Sequence, residues 1–243
     1  MSHNLLELRE GALLVADAHY SSKNPQLLAF IEALNDKKIL TSQLILLGDS
    51  FDALFGEVLK TYDANREIID ALHQLSENIE VIFFEGNHDF QLQKIFPNNR
   101  VYTLEMQPVM AYYGEKKVLL SHGDFDGGWS YLLYSKIIRN PVVARGLSVL
   151  NNIGDDFILK ALAKKLLKKN NCIEMENFGA FVQKRFLHSA YECDYFIDGH
   201  FHQNKKFTLK KFEYINLDAF ACNQRYFSVK FLQDKELLEE FSF

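Results

Sequence analysis

The feature that most constrains this chain is a series of five short clusters of metal-ligand residues, each placed directly after an apolar run. The clusters are Asp17-Ala-His19, Gly48-Asp49-Ser-Phe-Asp52, Gly86-Asn87-His88-Asp89, His122-Gly-Asp124 and Gly199-His200-Phe-His202. The apolar runs before them indicate buried strands: Ala12–Ala16, Leu44–Leu47, Val81–Phe84, Val118–Leu120 and the shorter Tyr195-Phe-Ile. Ligands at the carboxyl ends of strands lie where α/β folds build their active sites.

Each cluster alone is a weak indication of chemistry. An Asp-x-His pair is most often two surface residues, and Gly-Asp after a strand is common turn chemistry. His-x-His places two rings on one face of a strand whether or not a metal is present. Asn87-His88-Asp89 is more specific, because three polar side chains crowd a turn that needs only one. Together and in this order, the clusters indicate a dinuclear site with the oxygen and imidazole ligands of hard or borderline divalent ions.

The order and spacing of these motifs resemble the calcineurin-like metallophosphoesterase superfamily, from Asp17 to His202. The resemblance implies two metal sites bridged by one carboxylate. One metal would be held by Asp17, His19 and His202, the other by Asn87, His122 and His200, with Asp49 between them. Two such cations activate water and neutralise phosphate oxygens, so no protein nucleophile is needed.

The resemblance also implies roles beside the metals. His88, steadied by Asp52, would lie next to the scissile phosphate as an acid or charge stabiliser. Asn87, His88 and His200 would contact the substrate. Two divalent ions are the implied cofactors; the mixed oxygen and nitrogen ligands fit Mn²⁺ or iron best and leave Zn²⁺ possible.

The three cysteines lie outside every cluster. We expect Cys172, Cys193 and Cys222 to be small buried or half-buried apolar residues. Because their number is odd and their spacing irregular, they indicate a reducing compartment. The polar, acidic amino terminus argues against a signal peptide, and no run approaches the roughly 18 apolar residues of a spanning helix. These features predict a cytoplasmic protein, either free or peripheral on the cytoplasmic face of the inner membrane.

The pattern of elements predicts an α/β fold with two packed mixed sheets flanked by helices, which is also the superfamily's architecture. Asn24 followed by Pro25 predicts an N-cap and the first residue of a helix that runs through Leu34, and Asp63 is expected to cap a second helix. Strands are expected at Val101–Leu104, Val109–Tyr113 and Val118–Leu120, with Gly114-Glu115 as a hairpin turn. Near the carboxyl terminus we expect antiparallel strands at Lys205–Lys211, Phe212–Leu217 and Tyr226–Phe231.

The chain of 243 residues is expected to form a single domain, 1–243, with a helical cap inserted at about 127–190. This helical segment contains ten Lys or Arg against four Asp or Glu, a net charge of +6 in a chain whose net charge is −5. The predicted helices are Trp129–Ile137, broken at Asn140-Pro141, then Val142–Leu150, Phe157–Lys169 and Phe178–Tyr191.

The helix Phe157–Lys169 is basic and amphipathic. Its apolar side is formed by Ile158, Leu159, Leu162 and Leu166, and its charge by Lys160, Lys164, Lys165, Lys168 and Lys169. An ordinary solvated face, a surface for anionic lipid and a nucleic-acid surface all stay open. Nucleic acid is the weakest, since the chain is acidic overall and has no interleaved aromatic and basic motif. We therefore expect no nucleic-acid partner.

A partly basic helical insertion at this place is similar to that of the UDP-2,3-diacylglucosamine diphosphatases of lipid A synthesis. The Gly-Asp-x-Phe-Asp run around Phe51, Asn87-x-Asp89-Phe90 and Arg139-Asn-Pro141 also resemble that group. The resemblance implies a lipid-linked nucleotide sugar substrate, UDP-2,3-diacylglucosamine, split to UMP and 2,3-diacylglucosamine 1-phosphate, with acyl chains between cap and core. The best-known members have Arg where this chain has His88, the general superfamily pattern.

Two other functions stay open. The first is a phosphodiesterase or phosphatase acting on a soluble nucleotide or phosphoprotein. The second is a catalytically silent binding module, against which the intact ligand set argues. Arg139 and Arg145 could hold the phosphate or uridine end of a substrate, and Asp124 and Asp126 could hydrogen-bond behind the ligands.

Overall fold

The computed structural model describes residues 5–166, 172–230 and 236–243. The strands are β1 (Leu6–Glu7), β2 (Leu13–Val15), β3 (Gln43–Leu47), β4 (Leu54–Phe55), β5 (Glu80–Phe84), β6 (Asp89–Phe90), β7 (Arg100–Tyr102), β8 (Val109–Tyr113), β9 (Lys116–Ser121), β10 (Tyr195–Asp198), β11 (Lys205–Thr208), β12 (Glu213–Asn216), β13 (Arg225–Val229) and β14 (Leu238–Ser242). The helices are α1 (Gln26–Asn35), α2 (Leu59–Ala64), α3 (Arg66–Ser76), α4 (Trp129–Ile138), α5 (Pro141–Ile153), α6 (Phe157–Leu166), α7 (Phe178–Arg185) and α8 (Phe220–Asn223).

These strands form two six-stranded mixed sheets and a small pair, β4-β6. The first sheet has the order β14-β13-β2-β3-β5-β7, and β2, β3, β5 and β7 run parallel within it. The second has the order β1-β8-β9-β10-β12-β11, in which β9, β10 and β12 run parallel. The predicted fold class, two packed mixed sheets flanked by helices, is confirmed.

Three apolar layers hold the sheets and helices together. Alternate residues of the central strands, such as Ile45 and Ile197, pack between the two sheets. The opposite face of the first sheet packs on α1 and α3 through residues that include Phe30 and Leu72. The outer face of the second sheet packs on α7 through Phe186 and neighbouring aromatic rings. Since both faces of each central strand are covered, the strands are apolar throughout, as parallel strands usually are.

Most predicted strands are present with shifted ends. The hairpin of β8 and β9 around Gly114-Glu115 is confirmed. The expected strand Val101–Leu104 is one residue early as β7 and gives way to a 3₁₀ turn at Leu104–Met106. Strand β11 ends at Thr208 rather than Lys211, and β12 pairs both antiparallel with β11 and parallel with β10. Residue 231, the predicted end of the strand beginning at Tyr226, lies outside the described residues.

Both predicted N-caps were wrong. Helix α1 begins at Gln26 with Pro25 in the cap position. The Asn24 amide instead donates to the carbonyls of Ala18 at 3.0 Å and His19 at 3.2 Å, and so supports the loop after β2. Asp63 lies inside α2, and its carboxylate accepts a hydrogen bond from Arg66 at 2.7 Å.

The helical segment between β9 and β10 consists of α4 to α7. The break at Asn140-Pro141 is confirmed, since Pro141 is the first residue of α5 and the Asn140 carboxamide oxygen accepts from the N–H of Val142 at 2.9 Å. Helix α7 ends at Arg185, six residues before the predicted end at Tyr191. Helix α6 is described to Leu166, so the predicted continuation through Lys168 and Lys169 lies outside the described residues.

The expectation for the cysteines was wrong for two of the three. Cys172 and Cys222 form a disulfide across 50 residues of sequence, which joins the connection between α6 and α7 to α8. Cys193 is a buried free thiol, as expected. Because a disulfide is typical of oxidising compartments, the cysteines do not support the reducing compartment that their spacing indicated.

Candidate metal centre

The predicted ligands lie in loops at the carboxyl ends of parallel strands. Asp17 follows β2, Asp49 follows β3, Asn87 follows β5, His122 follows β9 and His200 follows β10. Left-handed backbone conformations recur in these loops, with φ values of 50° at Asp17, 45° at His19, 46° at Asp49, 62° at His200 and 57° at His202. Such conformations are unfavourable for residues with a Cβ, and their concentration here is typical of a functional site.

One group of ligand atoms comes from Asp17, His19 and His202, whose candidate atoms all lie within 4.8 Å of one another. The His202 Nε2 atom is 3.0 Å from Asp17 Oδ1. All three side chains have little or no exposure to solvent. The structure therefore brings together the three residues predicted to hold the first metal.

A second group comes from Asp49, His122 and His200, also within 4.8 Å. His122 Nε2 is 3.6 Å from Asp49 Oδ1, and it is 3.3 Å from His200 Nδ1. The other His122 nitrogen, Nδ1, is 3.1 Å from the carbonyl oxygen of Leu47. Since a carbonyl only accepts, Nδ1 carries the proton and Nε2 is left to bind a cation.

The loop of Asn87 and His88 packs against Asp49. The main-chain N–H of His88 donates to Asp49 Oδ1 at 2.8 Å. His88 Nε2 is 3.9 Å from the other carboxylate oxygen, Oδ2. Asp49 therefore lies between the Asn87–His88 loop and His122, which is the place a bridging carboxylate would occupy.

The His88 ring contacts Asp52 at its main-chain carbonyl and not at its carboxylate. The His88 Nδ1 atom is 3.0 Å from the carbonyl oxygen of Asp52. The Asp52 carboxylate instead lies 3.4 Å from Nδ1 of His19. His19, Asp52 and His88 form a third group of potential ligand atoms within 4.8 Å.

The donor set fits divalent cations. His19 Nε2 and Asn87 Oδ1 are buried and have no hydrogen-bond partner within residues 5–166, 172–230 and 236–243. A buried polar atom without a partner is costly unless something binds it. Carboxylates, a carboxamide and imidazoles together suit manganese, iron or zinc. The residues present therefore fit two divalent ions.

The electrostatics also favour cations. Burial works to raise the pKa of Asp49, but His122, His88 and His19 hold it well below its usual range. Burial works to lower the pKa of His122, but Asp49 and Asp124 raise it to about 9, so a cation that binds Nε2 displaces a proton from it. For His200, burial and the nearby His122 lower the pKa to about 4. The centre thus carries ionised carboxylates that attract positive charge at neutral pH.

Asp89 is a residue of this centre for which the sequence predicted no role. Its carboxylate accepts main-chain N–H groups of Asp49 at 3.1 Å, Ser50 at 2.6 Å, Phe51 at 3.2 Å and Gly86 at 2.9 Å. Burial and the neighbouring Asp49 raise the pKa of Asp89 to about 7. Asp89 thereby ties the loop after β3 to the loop after β5. In the sequence, only its position next to His88 in the third cluster could have indicated this role.

Two glycines allow the loops to approach the ligands. Gly48 has φ +84°, and a Cβ there would lie 2.4 Å from Nδ1 of His122. A Cβ on Gly86 would lie 2.2 Å from Oδ1 of Asp49. Each of these glycines therefore leaves room for a ligand side chain from another loop.

Of the two arginines predicted to contact substrate, Arg139 lines a cavity beside Asn87 and His88, whereas Arg145 lines neither cavity next to the centre. Arg139 is buried and hydrogen-bonds to the Gly86 carbonyl and the Glu85 carboxylate. Arg145 is exposed, and its Nε is 2.8 Å from Glu57 Oε2. Asp124 accepts a hydrogen bond from the Tyr131 hydroxyl, and Asp126 pairs with Arg185.

Two cavities flank the centre beneath α6. One, of about 550 Å³, begins at His19 and Asp52 and is walled by Leu159, Leu162 and Leu166 of α6. The other, of about 470 Å³, adjoins His88 and Asn87 and is also lined by Leu162 and Leu166. The centre is therefore bordered by apolar space on two sides.

Comparisons with known proteins agree with this geometry. The family model described as calcineurin-like phosphoesterase matches residues 12–204. A UDP-2,3-diacylglucosamine hydrolase of Photorhabdus laumondii is 30% identical over 202 residues, 79% of this chain and 81% of that protein. Similar hydrolases of Pseudomonas fluorescens Pf0-1 and Chromohalobacter salexigens are 36% and 32% identical over 58% and 53% of this chain. These two matches span little more than half the length of each relative, 57% and 54%.

Proposed function

The chain belongs to the calcineurin-like phosphoesterase family, as its motifs predicted, and we propose that it hydrolyses the pyrophosphate of UDP-2,3-diacylglucosamine. The products would be UMP and 2,3-diacylglucosamine 1-phosphate. The observation that carries the proposal is the pair of apolar cavities beside clustered ligands. The relatives named for this substrate support it.

The family implies divalent metal ions, and the two ligand groups support a site for each of them. Asp17, His19 and His202 would hold one ion. Asn87, His122 and His200 would hold the other, with Asp49 between them. Mn²⁺ is the proposed ion, because carboxylate and carboxamide oxygens are mixed with imidazoles. Bound there, two cations supply the positive charge that polarises a phosphoryl group and acidifies water.

His88 is the side chain proposed to act on the phosphate directly. Its Nδ1 faces a carbonyl oxygen of Asp52, which only accepts, so Nδ1 carries a proton. Nε2 then points toward the centre and can donate only when the ring is an imidazolium. In that form it can stabilise a phosphate oxygen or pass a proton to the leaving group. Asn87 and His200 border the same space and would orient the substrate.

The cavities under α6 suit the acyl chains of this substrate. Leu159, Leu162 and Leu166, three of the four residues predicted to form the apolar side of this helix, line these cavities. A nucleotide without lipid would leave this apolar surface in contact with water and would forgo about 25 cal/mol of binding free energy per Å² left exposed. This feature favours a lipid substrate over a soluble nucleotide or phosphoprotein.

The outer surface of the helical segment supports contact with anionic membrane. Large apolar side chains are exposed along α4 and α5, including Trp129 at 80% and Ile153 at 79%. The lysines of α6 lie on the same segment. No described helix combines the length and apolar character needed to cross a bilayer. We propose that residues 127–190 are a cap within one domain, 1–243, and that the cap takes the substrate from a membrane surface.

The direct test is product release. Protein reconstituted with Mn²⁺ should release UMP from UDP-2,3-diacylglucosamine in detergent micelles, and EDTA should stop the reaction. Turnover of UDP-N-acetylglucosamine or bis(p-nitrophenyl) phosphate with none of the lipid substrate would support the soluble phosphodiesterase instead.

A further inference from the structure

Two buried arginines of the helical segment reach the loops that carry metal ligands. Arg139, at the end of α4, has a side chain only 7% exposed. Its guanidinium donates to the carbonyl oxygen of Gly86 at 2.7 Å and to Glu85 Oε2 at 3.2 Å. Both acceptors directly precede Asn87. The side chain therefore holds the backbone that presents the Asn87 carboxamide.

Arg185, at the end of α7, makes the equivalent contacts to two other loops. Its side chain is 5% exposed. One guanidinium nitrogen donates to the carbonyl oxygen of Gly123 at 3.0 Å, and the other donates to Asp198 Oδ2 at 2.6 Å. Gly123 follows His122, and Asp198 precedes the Gly199-His200 turn. One side chain thus joins the loops of His122 and His200.

The surroundings of Arg185 hold it in one orientation. Asp126 accepts from its Nε at 2.7 Å. The rings of Phe125, Phe186 and Phe201 lie 4.9–5.4 Å from its guanidinium carbon. A guanidinium offers five donors in a fixed plane, which lets one residue serve carbonyls and carboxylates together. Lysine, with a single nitrogen, cannot span these acceptors at once.

Asp198 extends the same network into the sheet. Its carboxylate accepts from the Tyr214 hydroxyl at 2.7 Å and from the Asn216 amide at 2.8 Å. The Asn216 amide also donates to the carbonyl oxygen of Gly199. The turn before His200 is therefore fixed on one side by strand β12 and on the other by Arg185.

The loop that carries Asp17 and His19 is held by residues of the sheet core. The N–H groups of Asp17 and His19 donate to the carbonyls of Gly48 at 3.2 Å and Asp49 at 2.9 Å. The Asn24 amide, next to α1, donates to the carbonyls of Ala18 and His19 in the same loop. These contacts come from elements outside residues 127–190.

We propose that the helical segment builds one of the two metal sites, with Arg139 and Arg185 as the positioning residues of the Asn87, His122 and His200 site. This inference rests on the two-ion assignment of the proposed function, and it does not depend on the substrate. In the other site, Asp17 and His19 are held by the core, and only His202 lies in a loop that Arg185 helps to hold. Changes at the two arginines should therefore weaken the ion of the Asn87, His122 and His200 site more than the other.

Calorimetric titration of EDTA-stripped protein with Mn²⁺ tests this asymmetry. Wild-type protein should bind two ions. Arg185→Lys and Arg139→Lys should each weaken one ion by about 10–100-fold, the usual cost of losing a supporting contact behind a ligand, and weaken the other by a clearly smaller factor. Arg9→Lys is the matched control: Arg9 also joins a carbonyl, of Ser42 at 2.9 Å, to a carboxylate, of Glu80 at 2.9 Å, but at the amino ends of the strands. It should leave both affinities unchanged.

If circular dichroism shows that Arg185→Lys does not fold, Asp126→Asn serves in its place. This change weakens the ion pair that orients Arg185, and the Asp126 side chain is 38% exposed, so the substitution disturbs the core less. It should weaken the same ion by a smaller factor. Wild-type affinities for both ions in the arginine variants, or equal weakening of both, would overturn the proposal. Two ions in wild-type protein that releases no UMP would refute the substrate and leave this inference standing.

Discussion

The carboxylate of Asp17 accepts the main-chain N–H of His200 at 2.8 Å, across 183 residues of sequence. This hydrogen bond joins the first ligand loop to the fifth. Because Asp17 Oδ1 is also 3.0 Å from His202 Nε2, one side chain organises both ends of the ligand series. The two sheets meet at this bond, since Asp17 follows β2 of the first sheet and His200 follows β10 of the second.

Loss of the Asp49 carboxylate, which is proposed to lie between the two ions, should remove most of the turnover. We expect Asp49→Ala to lower kcat/KM for UMP release by more than about 100-fold, because supporting contacts alone already cost 10–100-fold. Metal content by elemental analysis should fall in parallel. Asp63→Ala, which removes an exposed carboxylate on α2, is the control. Activity within tenfold of wild type in Asp49→Ala would contradict the bridging role.

The absence of a side chain at Gly48 should matter for metal binding, and its left-handed backbone conformation for stability. Gly48→Ala places a Cβ 2.4 Å from the His122 ring, whereas Gly11→Ala, at φ +70°, has nothing within 4 Å. Both changes carry a left-handed backbone cost of about 1–2 kcal/mol. Only Gly48→Ala should also weaken Mn²⁺ binding, by tenfold or more. Urea unfolding and Mn²⁺ titration separate the two effects, and equal metal affinities would show that His122 has room to move.

Filling the cavity under α6 should discriminate between substrates. Leu162 borders both cavities, so Leu162→Trp should reduce kcat/KM for UDP-2,3-diacylglucosamine relative to bis(p-nitrophenyl) phosphate by at least tenfold. Ala161→Trp introduces the same side chain on the same helix, at an exposed position outside these linings, and should leave the ratio unchanged. A ratio unaffected by Leu162→Trp would place the acyl chains elsewhere.

The single tryptophan can report membrane contact. Trp129 is 80% exposed, so its emission should shift to shorter wavelength on phosphatidylglycerol vesicles, and added salt should weaken binding. Replacing Lys160, Lys164 and Lys165 by Gln should weaken binding by several-fold or more, since each nearby lysine contributes about 1 kcal/mol. The same replacement of Lys206, Lys210 and Lys211, outside the helical segment, is the control. If both variants bind the vesicles equally well, the lysines of α6 form an ordinary solvated face and no membrane-binding surface.

Thiol counting tests the disulfide. In denaturant without reductant, one thiol should react with Ellman's reagent, and after reduction three should react. In native protein at pH 8 the remaining thiol should stay unreactive, because burial raises the pKa of Cys193 to about 11 and little thiolate forms. Three reactive thiols in unreduced, denatured protein would restore the interpretation of a reducing compartment.

What the sequence determined by itself was local. Apolar runs followed at once by Asp, Asn or His gave the strand ends and the ligand candidates, because a strand and the loop after it are contiguous. The Gly114-Glu115 hairpin followed for the same reason. Helix starts were less certain: Asn24 and Asp63 have the chemistry of caps, but tertiary contacts gave each another partner.

Only the tertiary structure decided which distant groups meet. The main-chain carbonyl of Asp52 faces His88, Asp89 ties two loops together, and Arg185 joins two more. Cys172 finds Cys222 for the same reason. These contacts depend on how two sheets and the helical segment pack, and no spacing along the chain encodes the direction in which a buried side chain points.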